Sequence, residues 1–365
     1  MVFGCKRKYE LFFKGSLIEQ VEKYKFLGTI FKSVHRANSD PFSLNYEYLC
    51  DKARKSLFAI KHKLSHIGHL PPNMMFYIYN SALKPILCYA SDVWGLSSKG
   101  RAMMDKFLLQ QLKYTLGVRQ SASTLLVIGE TGQILPSVHC DYNIMTYFNR
   151  VMHMNDNTIV KQVFNELESL HKLGISNWYS KANSLISKYN LNLTHDQNIF
   201  KIVAKLSVED RYKRNWFSDI HNSVSNPIAR TYKLMKLNFG TEKYLHYIQN
   251  FRVRRSITQL RTSTHNLLIE TSRHQKHIPD TSERNCKTCN TLEDEIHFLT
   301  SCSLYEEERK ILFEKLGISN LVASVSQIDV FCYLMNVTDR CHLLLLANFV
   351  HKCFLKRNID GQTNL

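Results

Sequence analysis

The spacing of apolar residues changes once along this chain, and that change restricts the fold more than any other feature. Residues 8–32 alternate between apolar and polar positions around Gly15 and Ser16, a pattern typical of a β-hairpin. From about residue 42 onward, apolar residues recur at intervals of three and four, as on one face of an amphipathic helix. The sequence therefore predicts a mainly α fold that begins with a short N-terminal β-hairpin.

Proline and glycine residues predict where several helices end. A helix from about residue 42 should stop at the prolines at 71–72, which open a second helix that runs to a break at 84–85. A third helix should end at Gly117, and a later one at Gly174. The apolar face of that later helix is predicted to contain Ile159, Val163, Leu167 and Leu170.

The chain carries a formal charge of +17 over 365 residues, and the charge is concentrated in two regions. Residues 1–63 have 13 Lys and Arg against 6 Asp and Glu, and residues 201–277 have 15 against 5. Concentrated positive charge indicates a polyanionic partner, and nucleic acid is preferred over a solvated basic surface or an anionic membrane surface. No run approaches the roughly 18 apolar residues needed to cross a bilayer, so no membrane partner is expected.

The second basic region contains a stretch, residues 250–273, that is predicted to form one basic helix. Arg254 and Arg261 fall on a stripe beside its apolar face. An ordinary surface helix, in which Lys and Arg only keep one face solvated, is an equally good interpretation. The residues expected to face the core are Val253, Ile257, Leu260 and Leu267.

A cysteine cluster near the C-terminus predicts a metal site. Ten cysteines without a secretory signal indicate a reducing compartment, nuclear or cytoplasmic and not secreted. Cys286, Cys289, His297 and Cys302 follow the spacing Cys-x2-Cys-x7-His-x4-Cys. Three thiolates and an imidazole suit tetrahedral zinc, and a site with four protein ligands is structural, not hydrolytic. The alternative is three buried thiols beside an unrelated histidine.

Several stretches of the chain occur in an order that resembles a known family. They are YELFFKG, VEKYKFLGTIF, LPP, SALKPILCYASDVWG, IGETGQILP and, toward the end, ITQLRTSTHNLLIETSRH followed by the cysteine cluster. Together they resemble the downstream part of reverse transcriptases from non-LTR (LINE-type) retrotransposons. The resemblance covers roughly residues 1–310, and the order of the motifs is more specific than any one of them.

The resemblance implies five consecutive segments. These are the end of a polymerase palm with its primer-grip hairpin (1–40), thumb-like helices (41–120), a helical linker region (121–240), a basic helix with a zinc knuckle (241–320) and C-terminal helices (321–365). The fold expected is thus a short N-terminal β-hairpin followed by a helical thumb and a helical C-terminal region with a small zinc knuckle.

The resemblance also implies roles for particular residues. Lys25, Phe26, Leu27 and Gly28 would be the primer grip, with Gly28 letting the backbone approach the primer and Phe26 packing beneath it. Without the resemblance, the same four residues read as an ordinary hairpin strand. An RNA/DNA duplex would be held through its phosphates by Lys52, Lys55, Arg254, Arg255 and Arg261.

Tyr89-Ala-Ser-Asp92 comes one residue short of the Tyr-x-Asp-Asp signature of polymerases, but we interpret it as structural. Two-metal phosphoryl transfer needs paired carboxylates, and no Asp-Asp pair occurs in the sequence. The motif also follows the primer-grip stretch, whereas the family's catalytic aspartates precede it. Tyr89 and Trp94 are expected to pack helices together, and Mg²⁺ would belong only to a complete polymerase.

The beginning, MVFG, resembles the interior of a palm strand, so Met1 is expected to be an internal methionine and the missing polymerase domains to lie upstream. The preferred function is a non-catalytic fragment of an RNA-directed DNA polymerase that binds RNA and DNA. The alternatives are the C-terminal part of an active reverse transcriptase and a co-opted zinc-dependent nucleic-acid-binding or scaffold protein. A hydrolase is disfavoured because Gly-x-Ser-x-Gly, P-loop and His-Glu-x-x-His motifs are absent from the sequence.

Overall fold

The computed structural model of the protein describes residues 9–34, 40–222, 226–274, 279–322 and 324–362. Helices account for 66% and strands for 5% of the structure, which confirms the predicted mainly α fold with strands confined to the N-terminal part. The MVFG stretch, residues 1–4, lies outside the described residues.

The chain forms two compact units that are interleaved in sequence. Unit 1 consists of Met1–His66, Tyr77–Leu108 and Ile134–Tyr212. Unit 2 consists of Ile67–Phe76, Leu109–Gln133 and Lys213–Leu365. The five consecutive segments implied by the resemblance divide the chain differently and stay a prediction.

Unit 1 begins with two β-hairpins where the sequence predicted one. Strands β1 (Leu11–Phe13) and β2 (Ser16–Ile18) pair antiparallel, as do β3 (Lys23–Phe26) and β4 (Thr29–Lys32). Each hairpin turns through two residues with positive φ, which matches the right-handed twist of the strands. In the second hairpin these are Leu27 (φ 45°) and Gly28 (φ 87°). The extra turn lies within residues 17–32, which were predicted to form the second half of a single hairpin.

The helices follow in chain order. Their bounds in the first part of the chain are α1 Ser43–Lys63, α2 Pro72–Ile78, α3 Lys84–Leu87, α4 Ser91–Trp94, α5 Ser98–Leu116, α6 Thr124–Thr131, α7 Pro136–Met152, α8 Ile159–Lys172, α9 Trp178–Lys188 and α10 Gln197–His221. Those in the remainder are α11 Tyr232–Met235, α12 Tyr244–Tyr247, α13 Phe251–Arg261, α14 Leu268–Thr271, α15 Glu295–Thr300, α16 Glu306–Leu316, α17 Ser319–Val322, α18 Gln327–Met335 and α19 Arg340–Gln362.

Three helix boundaries differ from the prediction. Helix α1 ends at Lys63, before the prolines at 71–72. The expected break at 84–85 does not occur, because a π-helical turn, Tyr79–Leu83, leads directly into α3. The proline lies in the first turn of α3, where a missing N–H is tolerated. The predicted helix at 250–273 ends at Arg261, because Ser263 adopts a left-handed conformation with φ 52°.

Helix α8 packs through only part of the predicted apolar face, since Leu167 of the predicted set packs against the core of unit 1. Phe164 is buried and contacts the rings of Phe148 (5.1 Å) and Tyr179 (5.0 Å), whereas Ile159 is 78% exposed and Val163 is also exposed. The apolar residues of this helix form one broad face, and periodicity alone did not identify which part of that face meets α7 and α9. By contrast, the four core residues predicted in and after α13 are all buried.

Within the described part of the chain, no single helix is both long and apolar enough to cross a membrane. One pair, Gln327–Met335 with Arg340–Arg357, has the required length and composition only when taken together, and the two helices are bent by 117° at their junction.

Candidate metal centre and candidate nucleic-acid interface

A tight turn positions the first two cysteines of the cluster. The Cys286 N–H donates to the carbonyl of Thr291 (2.7 Å), and the Asn290 N–H donates back to the carbonyl of Cys286 (2.8 Å). Asn290 closes the turn in the left-handed region (φ 55°), which asparagine tolerates better than most residues. This turn holds the thiols of Cys286 and Cys289 on the same side of the chain.

Helix α15 positions the other two ligand residues. The side chain of Asp294 caps the helix by accepting from the His297 N–H (2.8 Å), which fixes His297 in the first turn. The Cys302 N–H donates to the His297 carbonyl (2.9 Å), so the residue after the helix end folds back toward the histidine.

The four side chains converge on one point. The Cys302 Sγ lies 3.9 Å from the Cys286 Sγ and 4.0 Å from the Cys289 Sγ, and one ligand atom from each of the four residues lies within 4.8 Å of the others. Two sulfurs bound to one zinc ion at about 2.3 Å in tetrahedral geometry lie roughly 3.8 Å apart. This Cys3His cluster, as we call the four residues, could therefore hold a metal ion.

His297 has the hydrogen-bond pattern of a metal ligand. Its Nε2 is buried and has no hydrogen-bond partner among the described residues, which is costly for a polar atom. Its Nδ1 lies 3.1 Å from the Ser301 Oγ and 3.3 Å from the Thr291 Oγ1. Ligating histidines commonly donate their second ring N–H in this way, which fixes the ring orientation.

The electrostatics of the Cys3His cluster also suit a cation. Burial, together with the neighbouring thiols, raises the pKa of Cys302 to about 12. Burial would also raise the pKa of Cys289, but hydrogen bonds from the Ser303 hydroxyl and N–H outweigh burial and lower it. Burial lowers the pKa of His297, which keeps the imidazole neutral and its lone pair free. Three adjacent thiols can ionise together only when a cation offsets their charge.

Four of the predicted nucleic-acid-binding cations lie on the surface. Lys52 and Lys55 are exposed on α1, where Lys55 pairs with Asp51 (2.9 Å). Lys25 on β3 donates to the Tyr48 hydroxyl (2.9 Å) and is exposed. Arg255 is exposed on α13. Lys25, Lys52 and Lys55 belong to unit 1, whereas Arg255 belongs to unit 2.

Arg254 and Arg261 do not lie on the surface, so their predicted contact with phosphates is wrong. Each is only 3% exposed. The Arg254 guanidinium donates to the carbonyl of Ile248 (2.7 Å), at the end of α12. The Arg261 guanidinium donates to both carboxylate oxygens of Glu130 (2.8 and 3.1 Å) and pairs with Glu242 (3.0 Å).

The charge of Arg261 belongs to the interior of unit 2. Burial by itself would lower the pKa of Arg261, but the two carboxylates outweigh burial and raise that pKa well above its usual value. Arg261 also donates to the Met335 carbonyl (2.9 Å), so its hydrogen-bonding capacity is directed at protein groups.

The predicted primer grip forms the turn of the second hairpin, and Tyr89 lies against it. Phe26 is 55% exposed, and its packing beneath a primer stays a prediction. The Tyr89 hydroxyl donates to the carbonyl of Leu27 (2.6 Å), and a Cβ added to Gly28 would lie 3.1 Å from the tyrosine ring. Tyr89 is about half exposed, so the prediction that it packs helices together is wrong, whereas that prediction is confirmed for the buried Trp94.

No local pattern predicted this contact, because Leu27 and Tyr89 are 62 positions apart. The Trp94 indole N–H donates to the Tyr89 carbonyl (2.7 Å) and holds the tyrosine backbone in place. Tyr89, the first residue of the motif, thus supports the hairpin turn.

Comparisons of the chain with protein-family models, with curated proteins and with solved structures found no match.

Proposed function

We propose that this protein is a non-catalytic, nucleic-acid-binding polypeptide, similar to the downstream part of a LINE-type reverse transcriptase, that carries a structural zinc ion. The observation that carries the proposal is the Cys3His cluster, in which the spacing along the sequence and the distances between ligand atoms agree. The order of motifs in the sequence supports the family, and the concentrated positive charge supports the partner.

Zinc is the proposed metal because of the donor set. Three sulfurs and one imidazole nitrogen favour zinc over magnesium or calcium, which prefer oxygen ligands. Four protein ligands leave no position for a water or substrate, so the ion would stabilise the fold around α15 and take no part in chemistry. Binding by such a site contributes on the order of 10 kcal/mol to folding.

RNA and DNA are the proposed partners, and the contacts are to phosphates. Lys25, Lys52 and Lys55 on unit 1 and Arg255 on unit 2 are exposed cations. Contacts of this kind position a duplex without reading its sequence. We propose no polymerase chemistry for the chain by itself, because it contains no Asp-Asp pair to hold the catalytic Mg²⁺.

The test is binding of a short RNA/DNA hybrid, measured by fluorescence anisotropy at about 50 and about 200 mM salt. With about four phosphate contacts the affinity should fall roughly 100-fold over this range, because each contact releases counterions. The double variant Lys52→Gln/Lys55→Gln should bind more weakly and show a shallower salt dependence. Lys181→Gln, which removes an exposed lysine from α9, is the matched control and should behave as the wild type. A flat salt response of the wild-type protein would refute the proposal.

A second candidate, a zinc-dependent scaffold protein, is favoured by the first hairpin. Its strands expose Phe12 (63%), Phe13 and Leu17 to solvent, and exposed apolar clusters commonly mark protein-binding surfaces. A protein partner held this way would stay bound at high salt and be released by Phe12→Ser. Nucleic acid held by phosphate contacts would dissociate at high salt and be insensitive to that substitution.

A further inference from the structure

A pocket of about 400 Å³ opens between α13 and α19 in unit 2. Helix α13 contributes Arg252, Arg255, Ser256 and Gln259 to its wall. These residues are spaced three or four apart in the main, so they lie along one face of the helix. The size falls within the range of pockets that bind small molecules.

Two of the cationic side chains that line this pocket, Arg252 and Arg255, have no acidic partner among the described residues. No acidic residue occurs among those that line it. Arg357 and His265 also line it, but they bond to Glu293 (2.8 Å) and Glu295 (2.8 Å) respectively. Arg252 and Arg255 are exposed, and their guanidinium groups have no partner among the residues that the structure describes. Two positive charges are therefore available to a ligand.

The rest of the wall is built of groups that suit a nucleoside. The Ser256 hydroxyl lies 2.9 Å from the Nδ1 of His351 on α19, which fixes both side chains at the pocket wall. Gln259 and Asn266 also line the pocket, and a side-chain amide can both donate and accept hydrogen bonds. Leu355 contributes an apolar surface.

We propose that this pocket binds the phosphate monoester of a nucleotide, with Arg252 and Arg255 on the phosphate and the amides on the nucleoside. A monoester carries close to two negative charges at neutral pH, which matches two unpaired guanidinium groups, whereas a backbone diester carries one. The monoester can belong to a free mononucleotide or to the 5′ end of a strand. The proposal rests on the proposed function in one respect, since Arg255 is also among the cations assigned there.

The first experiment compares adenosine 5′-monophosphate with adenosine by isothermal titration calorimetry on the full chain. The monophosphate should bind at least roughly 10-fold more tightly, as expected for hydrogen bonds between charged groups. Arg252→Gln should remove most of this preference, and Arg252→Lys should restore part of it. Lys310→Gln, which removes an exposed lysine elsewhere on unit 2, is the matched control and should keep the full preference.

The second experiment compares a 5′-phosphorylated RNA of about 10 nucleotides with the same RNA carrying a 5′-hydroxyl. A preference for the phosphorylated strand, without binding of the monophosphate, assigns the pocket to strand ends and supports the proposal. The proposal is overturned if the monophosphate binds no better than adenosine and the 5′-phosphorylated RNA binds no better than the 5′-hydroxyl RNA. It is also overturned if a preference for the phosphorylated probe survives Arg252→Gln. Binding of the monophosphate without salt-dependent binding of the RNA/DNA hybrid would uphold the pocket and refute the proposed function.

Discussion

Replacing Arg261 by methionine tests the claim that this arginine is an interior structural residue. The substitution keeps most of the apolar stem but removes the guanidinium that bonds both carboxylate oxygens of Glu130. Glu130 is 0% exposed, so its carboxylate would be left in the interior without this partner. Arg261→Met should therefore destabilise unit 2 severely.

The loss of stability in Arg261→Met can be estimated in two ways. Breaking a buried ion pair by removing one partner costs about 3–5 kcal/mol. A stranded carboxylate can instead take up a proton, and protonating an ordinary glutamate at pH 7 costs about 4 kcal/mol. Both estimates place the loss in the free energy of unfolding near about 4 kcal/mol. Replacing both partners, in Arg261→Met/Glu130→Gln, should recover most of that loss, because Glu242, the other partner of Arg261, keeps its ion pair with Lys236.

The assay is urea unfolding followed by tryptophan fluorescence. Trp216 is the only one of the three tryptophans that belongs to unit 2, and it is buried with its indole N–H on the Leu125 carbonyl (2.9 Å). Arg255→Met, on the same helix but exposed, is the control and should change stability by less than about 0.5 kcal/mol. Similar stability of the Arg261 and Arg255 variants would refute the structural assignment of Arg261.

Three further predictions concern other parts of the molecule. Cys302→Ser should lower the melting temperature and abolish zinc retention in native mass spectrometry, whereas Cys341→Ser, at an exposed cysteine, should do neither; equal behaviour of the two variants would remove the metal site. Burial would raise the pKa of Glu295, but the His265 hydrogen bond and nearby positive charge bring it to about 2, so this residue stabilises the fold above about pH 4.5 and loses that effect as the pH falls toward 2. Glu295→Gln should flatten acid unfolding over that interval by on the order of 3 kcal/mol, and an unchanged acid profile would contradict the assignment. Gly132→Ala should cost about 2 kcal/mol or more in thermal unfolding, because φ is +63° and a Cβ would lie 2.5 Å from the Thr241 backbone nitrogen; a neutral substitution would show that the backbone moves aside freely.

Local patterns predicted the parts of the fold that depend on neighbouring residues. The Cys3His cluster is contained within 17 consecutive positions, so its spacing could be read directly from the chain. The apolar positions of α13 and the end of α5 at Gly117 follow from the helical period and from glycine's tolerance of positive φ. The candidate site was therefore predictable from the sequence as a set of residues.

Contacts between distant positions were not predictable in the same way. Arg261 looks like a surface residue until Glu130, 131 positions earlier, is found beside it. Tyr89 and Leu27 meet across 62 positions, and no periodicity connects them. The pocket between α13 and α19 likewise joins residues about 95 positions apart, as Ser256 and His351 show. Composition sets how many cations the chain has, but only the tertiary fold decides which of them face water.

The interleaving of the two units has a consequence for synthesis on the ribosome. The last segment of unit 1 ends at Tyr212, whereas the stretch Leu109–Gln133 belongs to a unit whose largest segment begins at Lys213. Leu126, Val127 and Ile128 are buried in the finished protein, so a nascent chain must carry these apolar side chains unshielded until the later residues emerge. Truncation after residue 212 would leave them permanently uncovered, and such a product should be recognised by chaperones or aggregate even though unit 1 is complete.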